Sequence, residues 1–273
     1  MTATYVVDGE VTEPQGRIAA DDRGLLYGDG VYETLRSHRG HLVSLDRHLE
    51  RLRRSCAVMD IPLDEAAVLA DLRAALSRHL TASAHVRITL TRGPGAGLAP
   101  APSSRPTRIV SVADLPADHD ATAARGVTAV TLPARFTAVP GAKTISFGAN
   151  VWARLEARRR GVDDVIGIEG DRVLEASSAN VVAVVDGALR APVAGALPGV
   201  TRAIVLELAA GALPIDEGPL TTRDLARASE VALTSSVRGV VPVTALDGRP
   251  LGVGPRLSAL QERYREHAQI LDY

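Results

Sequence analysis

Two periodicities take turns along this chain, and glycine or proline punctuates nearly every change between them. Thr4-Tyr5-Val6-Val7 and the residues after Asp8-Gly9 read as two short strands about a tight turn, because Asp-Gly readily accepts positive φ. Val31 to Ser37 and Leu42-Val43 read as a second pair, turned at Arg39-Gly40. Helical spacing follows. Leu45, Leu49, Leu52 and Cys56 share one face of a helix from about Leu45 to Met59 with Ser44 as its cap, and Val68, Leu69, Leu72 and Leu76 mark another over Asp64 to His79. Val86 to Thr91 alternates like a half-buried strand, for which Thr107 to Val112 supplies a partner. Between them, GPGAGLAPAPSSRP is too rich in Gly and Pro for regular structure, and a loop of that length is more often functional than idle.

After Leu115-Pro116 a polar, alanine-rich stretch to Ala124 reads as a linker. The expected division is therefore residues 1–114, a linker over 115–124, and a larger domain over 125–273. The second part alternates strands (Val127 to Leu132, Val165 to Glu169, Ala179 to Val185, Val231 to Thr234) with helices (Gly148 to Arg160, Val200 to Ala210). That order predicts a mixed sheet with covering helices.

Composition narrows the function. Of 31 Lys+Arg all but Lys143 are arginine, and they are balanced by 32 Asp+Glu to a formal charge of -1. Scattered arginines at a pI near 6.7 argue against a nucleic-acid partner, which needs a clustered basic surface. Cys56 is the single cysteine, so no internal disulfide framework or Cys-rich zinc site is expected, and it reads as a small buried filler. No signal-peptide pattern or bilayer-length apolar run is visible, which makes a cytoplasmic protein without a membrane partner the expectation.

Three segments offer polar groups where the chain enters or leaves an element. Leu197-Pro198-Gly199-Val200-Thr201-Arg202 precedes an apolar helix whose free N–H groups, with the Thr201 hydroxyl, form a candidate anion site. Glu175, in Val173-Leu174-Glu175-Ala176-Ser177-Ser178-Ala179-Asn180, lies between apolar stretches, so it either faces solvent or has a specific buried partner. Lys143 stands in an apolar setting in a chain that otherwise uses arginine. A guanidinium stays protonated and cannot replace an amine that must become neutral to attack a carbonyl. An amine, an anion cradle and a carboxylate together suggest pyridoxal phosphate, whose aldehyde, phosphate and ring nitrogen need those partners.

These residues resemble the class IV (fold type IV) pyridoxal-phosphate enzymes, which include D-amino acid transaminases, branched-chain aminotransferases, (R)-amine transaminases and aminodeoxychorismate lyases. The resemblance rests on Asp22-Arg23-Gly24-Leu25-Leu26-Tyr27-Gly28-Asp29-Gly30-Val31-Tyr32-Glu33-Thr34, on Asp46 to Leu52, on the Lys143 segment, on Leu174 to Asn180, on Leu197 to Arg202, and on Leu233-Thr234-Ser235-Ser236. It implies an α+β fold of two domains, a small α/β N-terminal domain and a larger C-terminal pseudo-barrel α/β domain. It further implies that Lys143 bonds the cofactor and carries the proton, that Glu175 keeps the pyridine nitrogen protonated, and that Arg51, Thr201 and Ser236, with N–H groups near Val200 and Ser235, grip the phosphate. Ser177, Ser178 and Asn180 would line the cofactor, and Tyr32 would face the substrate. His48 reads as structural or exposed, and Arg158-Arg159-Arg160 as a solvated face.

The chain departs from the D-amino acid transaminase pattern after Thr91-Arg92-Gly93, where an arginine and a histidine usually receive the substrate carboxylate. Here the residues are Pro94-Gly95-Ala96-Gly97-Leu98-Ala99, and Arg238 or Arg36 is the expected substitute. The expected activity is transfer of an amino group between a D-amino acid or related (R)-amine and a 2-oxo acid, by a homodimer. Aminodeoxychorismate lyase is the alternative, with branched-chain aminotransferase behind it.

Overall fold

The structure, a computed structural model, describes residues 3–13, 16–79, 81–100, 105–116, 119–192 and 194–270. The chain forms two compact units, one of residues up to 116 with 141–146, the other of 117–140 and 147–270. In the first follow β1 (Ala3–Val7), β2 (Glu10–Thr12), α1 (Arg23–Tyr27), β3 (Gly30–His38), β4 (His41–Leu42), α2 (Leu45–Met59), α3 (Glu65–Leu76), β5 (Ser83–Thr91) and β6 (Thr107–Asp114). The strands lie in the order β2-β1-β6-β5-β3-β4 with every pair antiparallel. Both expected hairpin turns form, with φ of 48 and 93 at Asp8 and Gly9 and of 49 and 83 at Arg39 and Gly40.

Alternation along β3 buries Val31, Glu33, Leu35 and Ser37 and leaves Tyr32, Thr34, Arg36 and His38 half-buried on the other face. Val31 and Leu35 join Leu49, Leu52 and Cys56 of α2 and Val68 and Leu72 of α3 in one core. Ser44 does not cap α2 as expected. It takes left-handed angles, φ 53 and ψ 42, and its side chain makes no capping bond, because an N-cap hydroxyl reaches the first turn from extended backbone.

The long Gly/Pro loop is anchored at its root. Buried Asp22 accepts from Gly24 N, Thr91 Oγ1 and Thr107 Oγ1 at 2.7–2.8 Å, which ties α1 to the facing ends of β5 and β6. The neighbouring Arg23 guanidinium donates to the carbonyls of Gly97 and Leu98.

The second unit contains α4 (His119–Arg125), β7 (Val127–Pro133), α5 (Gly148–Arg159), β8 (Asp164–Glu169), β9 (Arg172–Ala176), β10 (Asn180–Val185), β11 (Ala188–Arg190), α6 (Val200–Ala209), β12 (Ile215–Asp216), α7 (Thr222–Arg227), β13 (Glu230–Ser235), β14 (Gly239–Leu246), β15 (Arg249–Pro250) and α8 (Pro255–Ile270). Its sheet runs β12-β11-β10-β13-β14-β7-β8-β9, with β7 parallel to both β8 and β14. A tight turn after β9 returns the chain to β10, where Ala176 N donates to Ala179 O at 2.7 Å. Six strands thus close on themselves, giving the expected pseudo-barrel. Val181, Ala183, Leu233 and Val243 fill its interior. Val182 and Val184 point outward against Ile204 and Val205 of α6 and Leu257 and Leu260 of α8. Among the described residues no helix is long and apolar enough to cross a membrane.

Of the stretch 115–124 read as a linker, residues 119–124 lie in α4, with Ala123 buried at 4% exposure in the barrel core and His119 Nε2 3.0 Å from Val237 O. An alanine-rich stretch is polar enough to resemble a linker, yet it has high helix propensity. Nor does one cut at 114 or 125 separate the units, since 141–146 belongs with the first. The strands β9, β11, β12, β14 and β15, not expected from sequence, are pieces of two or three residues or strands with little clear alternation. Leu233, 1% exposed inside the barrel, sets the first test: Leu233→Ala should lower the unfolding free energy of the second unit by about 2–5 kcal/mol in denaturant titration.

Candidate active site

The first part of β3 lacks a partner on one side, because β4 pairs only with Ser37 and His38. Residues 143–145 fill that edge. Tyr32 N donates to Lys143 O at 2.9 Å, Ile145 N donates to Gly30 O at 3.0 Å, and Val31 and Thr144 form an antiparallel bridge. Lys143 N in turn donates to Ser55 Oγ on α2 at 3.0 Å. The glycines of the Gly-Asp-Gly motif make room for this: a Cβ on Gly30 would stand 2.6 Å from Leu90 O and 2.8 Å from Ile145, and Gly28, at φ +65, would meet Ser146 Oγ at 2.8 Å.

Both main-chain groups of Lys143 are thus engaged, its carbonyl by Tyr32 N and its N–H by Ser55. Nζ lies 4.2 Å from the centroid of the Tyr32 ring, and the Arg87 guanidinium of β5 lies 4.1 Å from the same centroid. An aromatic face attracts cations, so Tyr32 is a platform for both. Arg87 also donates to Thr89 Oγ1 at 3.2 Å, and burial pushes its pKa down. Sequence reasoning missed Arg87. The strand register signals it, because Tyr32 faces Thr89 and Thr34 faces Arg87 across β3 and β5. Arg36 lies farther along the same face, opposite His85.

On the opposite face of β3, Glu33 is fully buried among apolar side chains and takes two partners from α2. Arg51 docks bidentately, Nε to Oε1 at 2.8 Å and Nη2 to Oε2 at 2.7 Å, and His48 Nδ1 lies 2.7 Å from Oε2. Burial pushes the Glu33 pKa up, but the charge and hydrogen bonds of Arg51, aided by His48, outweigh it and hold the carboxyl at about 2. Burial pushes His48 down, against the pull of Glu33. His48 is buried rather than exposed. A glutamate in unfolded chain titrates near 4.5. The stabilisation from Glu33 is thus complete above that value and disappears as pH falls toward 2. The apoprotein should lose stability across this window more steeply than its Glu33→Gln variant, as measured by denaturant unfolding at a series of pH values.

In the second unit Glu175 is buried on β9. Thr137 Oγ1 donates to Oε1 and Leu197 N donates to Oε2 at 3.0 Å, so the carboxylate has specific partners rather than solvent. Asn180 Nδ2 donates to Leu197 O at 2.8 Å, and both polar groups of that residue are thereby fixed. Gly199 must be glycine there, since a Cβ would lie 1.8 Å from Asn180 Oδ1. Directly after it α6 begins without a side-chain cap, leaving the N–H groups of Val200, Thr201 and Arg202 outside the helical ladder. Thr201 is buried with its hydroxyl 3.4 Å from that of Tyr264. Ser235 and Ser236 are half-buried at the end of β13. Beside them Thr234 Oγ1 is buried and makes no hydrogen bond. Sequence reasoning passed over Thr234, whose signal was a hydroxyl ending an apolar strand.

Ser177 and Arg238 meet at a fully buried acid, Asp164. Ser177 Oγ donates to its Oδ1 at 2.5 Å, while Oδ2 lies 3.1 Å from Arg154 Nη1 and 3.6 Å from Arg238 Nη2. Exposed Ser178 and half-buried Arg238 line a 570 Å³ cavity with Phe147, Asn150, Arg154 and Arg158. Arg158, Arg159 and Arg160 are exposed, the last two paired with Glu156. Buried Cys56 has its thiol pushed up to about 12 by burial.

Each unit carries groups of the kinds pyridoxal phosphate needs, the first a lysine amine for an aldehyde, the second a buried carboxylate for a pyridine nitrogen and an uncapped helix start for a phosphate. The comparisons agree. Residues 30–246 match the family model described as amino-transferase class IV. A putative branched-chain-amino-acid aminotransferase of Methanocaldococcus jannaschii is 30% identical over 94% of this chain and 93% of its own. A D-alanine aminotransferase of Staphylococcus haemolyticus is 28% identical over 98% and 99%. Among solved structures, a hypothetical aminotransferase from Mycobacterium tuberculosis in its PLP-bound form superposes with TM-score 0.87 at 31% identity, covering 99% of this chain and 100% of that one. The 4-amino-4-deoxychorismate lyase of Pseudomonas aeruginosa superposes with TM-score 0.83 at 33% identity, over 96% and 98%. By sequence and by fold, the chain belongs to the class IV aminotransferases, the fold type IV family of pyridoxal-phosphate enzymes.

Proposed function

We propose that this chain is a transaminase that moves an amino group between a D-amino acid, or a related (R)-amine, and a 2-oxo acid. The observation that carries the reading is the placement of the Lys143 amine over the Tyr32 ring with the Arg87 guanidinium on that ring. An amine nucleophile and a cation suited to a carboxylate then share one platform. Pyridoxal phosphate, when bound, supplies an aldehyde for the amino group and a ring that accepts the electron pair left when the substrate's α-proton departs.

The chain's own residues divide the remaining work. Lys143 would hold the cofactor through its Nζ and, when freed, would serve as the base that takes up and returns the substrate's α-proton. Glu175, fixed by Thr137 and Leu197, keeps a proton on the pyridine nitrogen. Arg51, Thr201 and Ser236, with N–H groups at Val200 and Ser235, grip the phosphate, and the Thr234 hydroxyl joins them. Asn180 acts by fixing Leu197 and Ser177 by fixing its turn on Asp164, while Ser178 lines the cofactor. Tyr32 faces the substrate.

For the substrate carboxylate the geometry favours Arg87 over the two arginines expected from sequence. Arg238 lies near the Asp164 carboxylate, which offsets its charge, and Arg36 lies farther along the strand from Tyr32. A D-alanine aminotransferase among the relatives supports the D-amino acid reading. A homodimer belongs to the same reading, supported by exposed Leu25, Leu26 and Tyr27 on α1 and Val151, Trp152 and Leu155 on α5.

A spectral panel tests the function. Holoenzyme mixed with D-alanine or D-glutamate should lose its visible cofactor band and regain it with a 2-oxo acid, and Lys143→Ala should abolish turnover by at least about 10²–10⁴-fold. Conversion only with L-valine or L-leucine would make it a branched-chain enzyme. Pyruvate release from aminodeoxychorismate without conversion by any amino acid would make it a lyase. Arg87→Ala should raise KM for amino acids about 10- to 100-fold and leave carboxyl-free amines nearly unchanged, with a smaller effect for Arg238→Ala.

A further inference from the structure

The buried Glu33–His48 pair lies on the face of β3 opposite Tyr32, and the chemistry above gives it no task. Burying a carboxylate in an apolar core is expensive, and replacing a buried ion pair with apolar side chains often costs nothing in stability. A charged cluster at that place therefore invites a role beyond holding α2 to the sheet. Arg51 and His48 stand three residues apart on α2, about one helical turn, and both reach the same carboxylate.

The guanidinium is planar, so its orientation follows once one edge is docked. Glu33 takes the Nε–Nη2 edge with both oxygens, at 2.8 and 2.7 Å. That fork fixes the plane of Arg51 and the direction in which the Nη1 side of the group points. His48 holds the second oxygen of the carboxylate at 2.7 Å and so opposes rotation of Glu33 about its last bond. Glu33 cannot be swapped for a near neighbour without loss. Glutamine would set an NH₂ group against donors, and aspartate is one methylene too short to reach α2 in the same geometry.

We infer that Glu33, with His48 behind it, is a positioning residue for the cofactor's phosphate: it orients Arg51 and so makes the protein prefer pyridoxal phosphate over pyridoxal. The inference rests on the proposed reading that Arg51 grips the phosphate. Orientation and charge make opposite demands. If the negative charge of Glu33 were its contribution, removing that charge would strengthen the pull of Arg51 on a phosphate. If orientation is its contribution, removal weakens it.

The test measures dissociation constants of pyridoxal phosphate and of pyridoxal for the wild-type apoprotein and for Arg51→Ala, Glu33→Gln, Glu33→Asp and His48→Asn, with inorganic phosphate as a competing probe. Thermal unfolding of each apoprotein is recorded alongside. The expected result is a loss of about tenfold or more in pyridoxal phosphate affinity in Arg51→Ala and both Glu33 variants, with pyridoxal affinity unchanged within about threefold. The Arg51→Ala/Glu33→Gln double variant should lose no more than Arg51→Ala alone. If Glu33→Gln does not fold, Glu33→Asp and His48→Asn carry the same comparison. Arg51→Ala without effect on the preference would overturn the phosphate reading of Arg51 itself. Loss of preference in Arg51→Ala but not in the Glu33 or His48 variants would overturn the positioning role alone, as would tighter phosphate binding in Glu33→Gln or equal weakening for both ligands.

Discussion

The pairing of residues 143–145 with the open edge of β3 is the contact on which the first unit's chemistry depends. Lysine is a long side chain with several rotatable bonds, and an amine that must attack a carbonyl has to be confined. Here the confinement is by backbone. Two main-chain hydrogen bonds and a bridge fix the strand segment, the Ser55 hydroxyl fixes the lysine's own N–H, and Gly28 and Gly30 leave the space it occupies. Tyr32 then receives the amine on its ring, and Arg87 reaches that ring from the next strand.

The second unit solves a related problem with buried acids. Glu175 and Asp164 are each held by groups from separate elements, Glu175 by Thr137 and Leu197, Asp164 by Ser177, Arg154 and Arg238. A carboxylate in a closed barrel must be paired, and the partners it gathers are thereby pinned. Glu175 thereby fixes Leu197, in the segment that leads through Gly199 into the uncapped N-terminus of α6.

Much of the first unit was legible in sequence because its strands bury one face only. Alternation along β3 and β5 and the Asp8-Gly9 and Arg39-Gly40 turns stand in the residues as they stand in the structure. The barrel was less legible. Strand β10 is buried on both faces and β14 on nearly all of its length, so neither has the period-two signal that marks a half-exposed strand. Alanine-rich α4 carries no clear helical period because its few apolar side chains are small. In the site, Lys143, Glu175 and the approach to α6 could be picked out as rare or misplaced polar groups. Arg87 could not, being one arginine of thirty until the register placed it beside Tyr32.

By itself the sequence determined which chemical groups were available: one lysine in an arginine-rich chain, an isolated glutamate between apolar strands, a Pro-Gly-Val-Thr helix start, and the motif order that marks the family. These are local properties, written in neighbouring residues. Only the tertiary structure decided which groups share a platform and which are already engaged. It set Arg87 with Lys143 on the Tyr32 ring, brought Arg238 to Asp164, and locked Arg51 to Glu33. The reason is that strand register and helix docking join residues far apart in the chain, and no local pattern records that pairing.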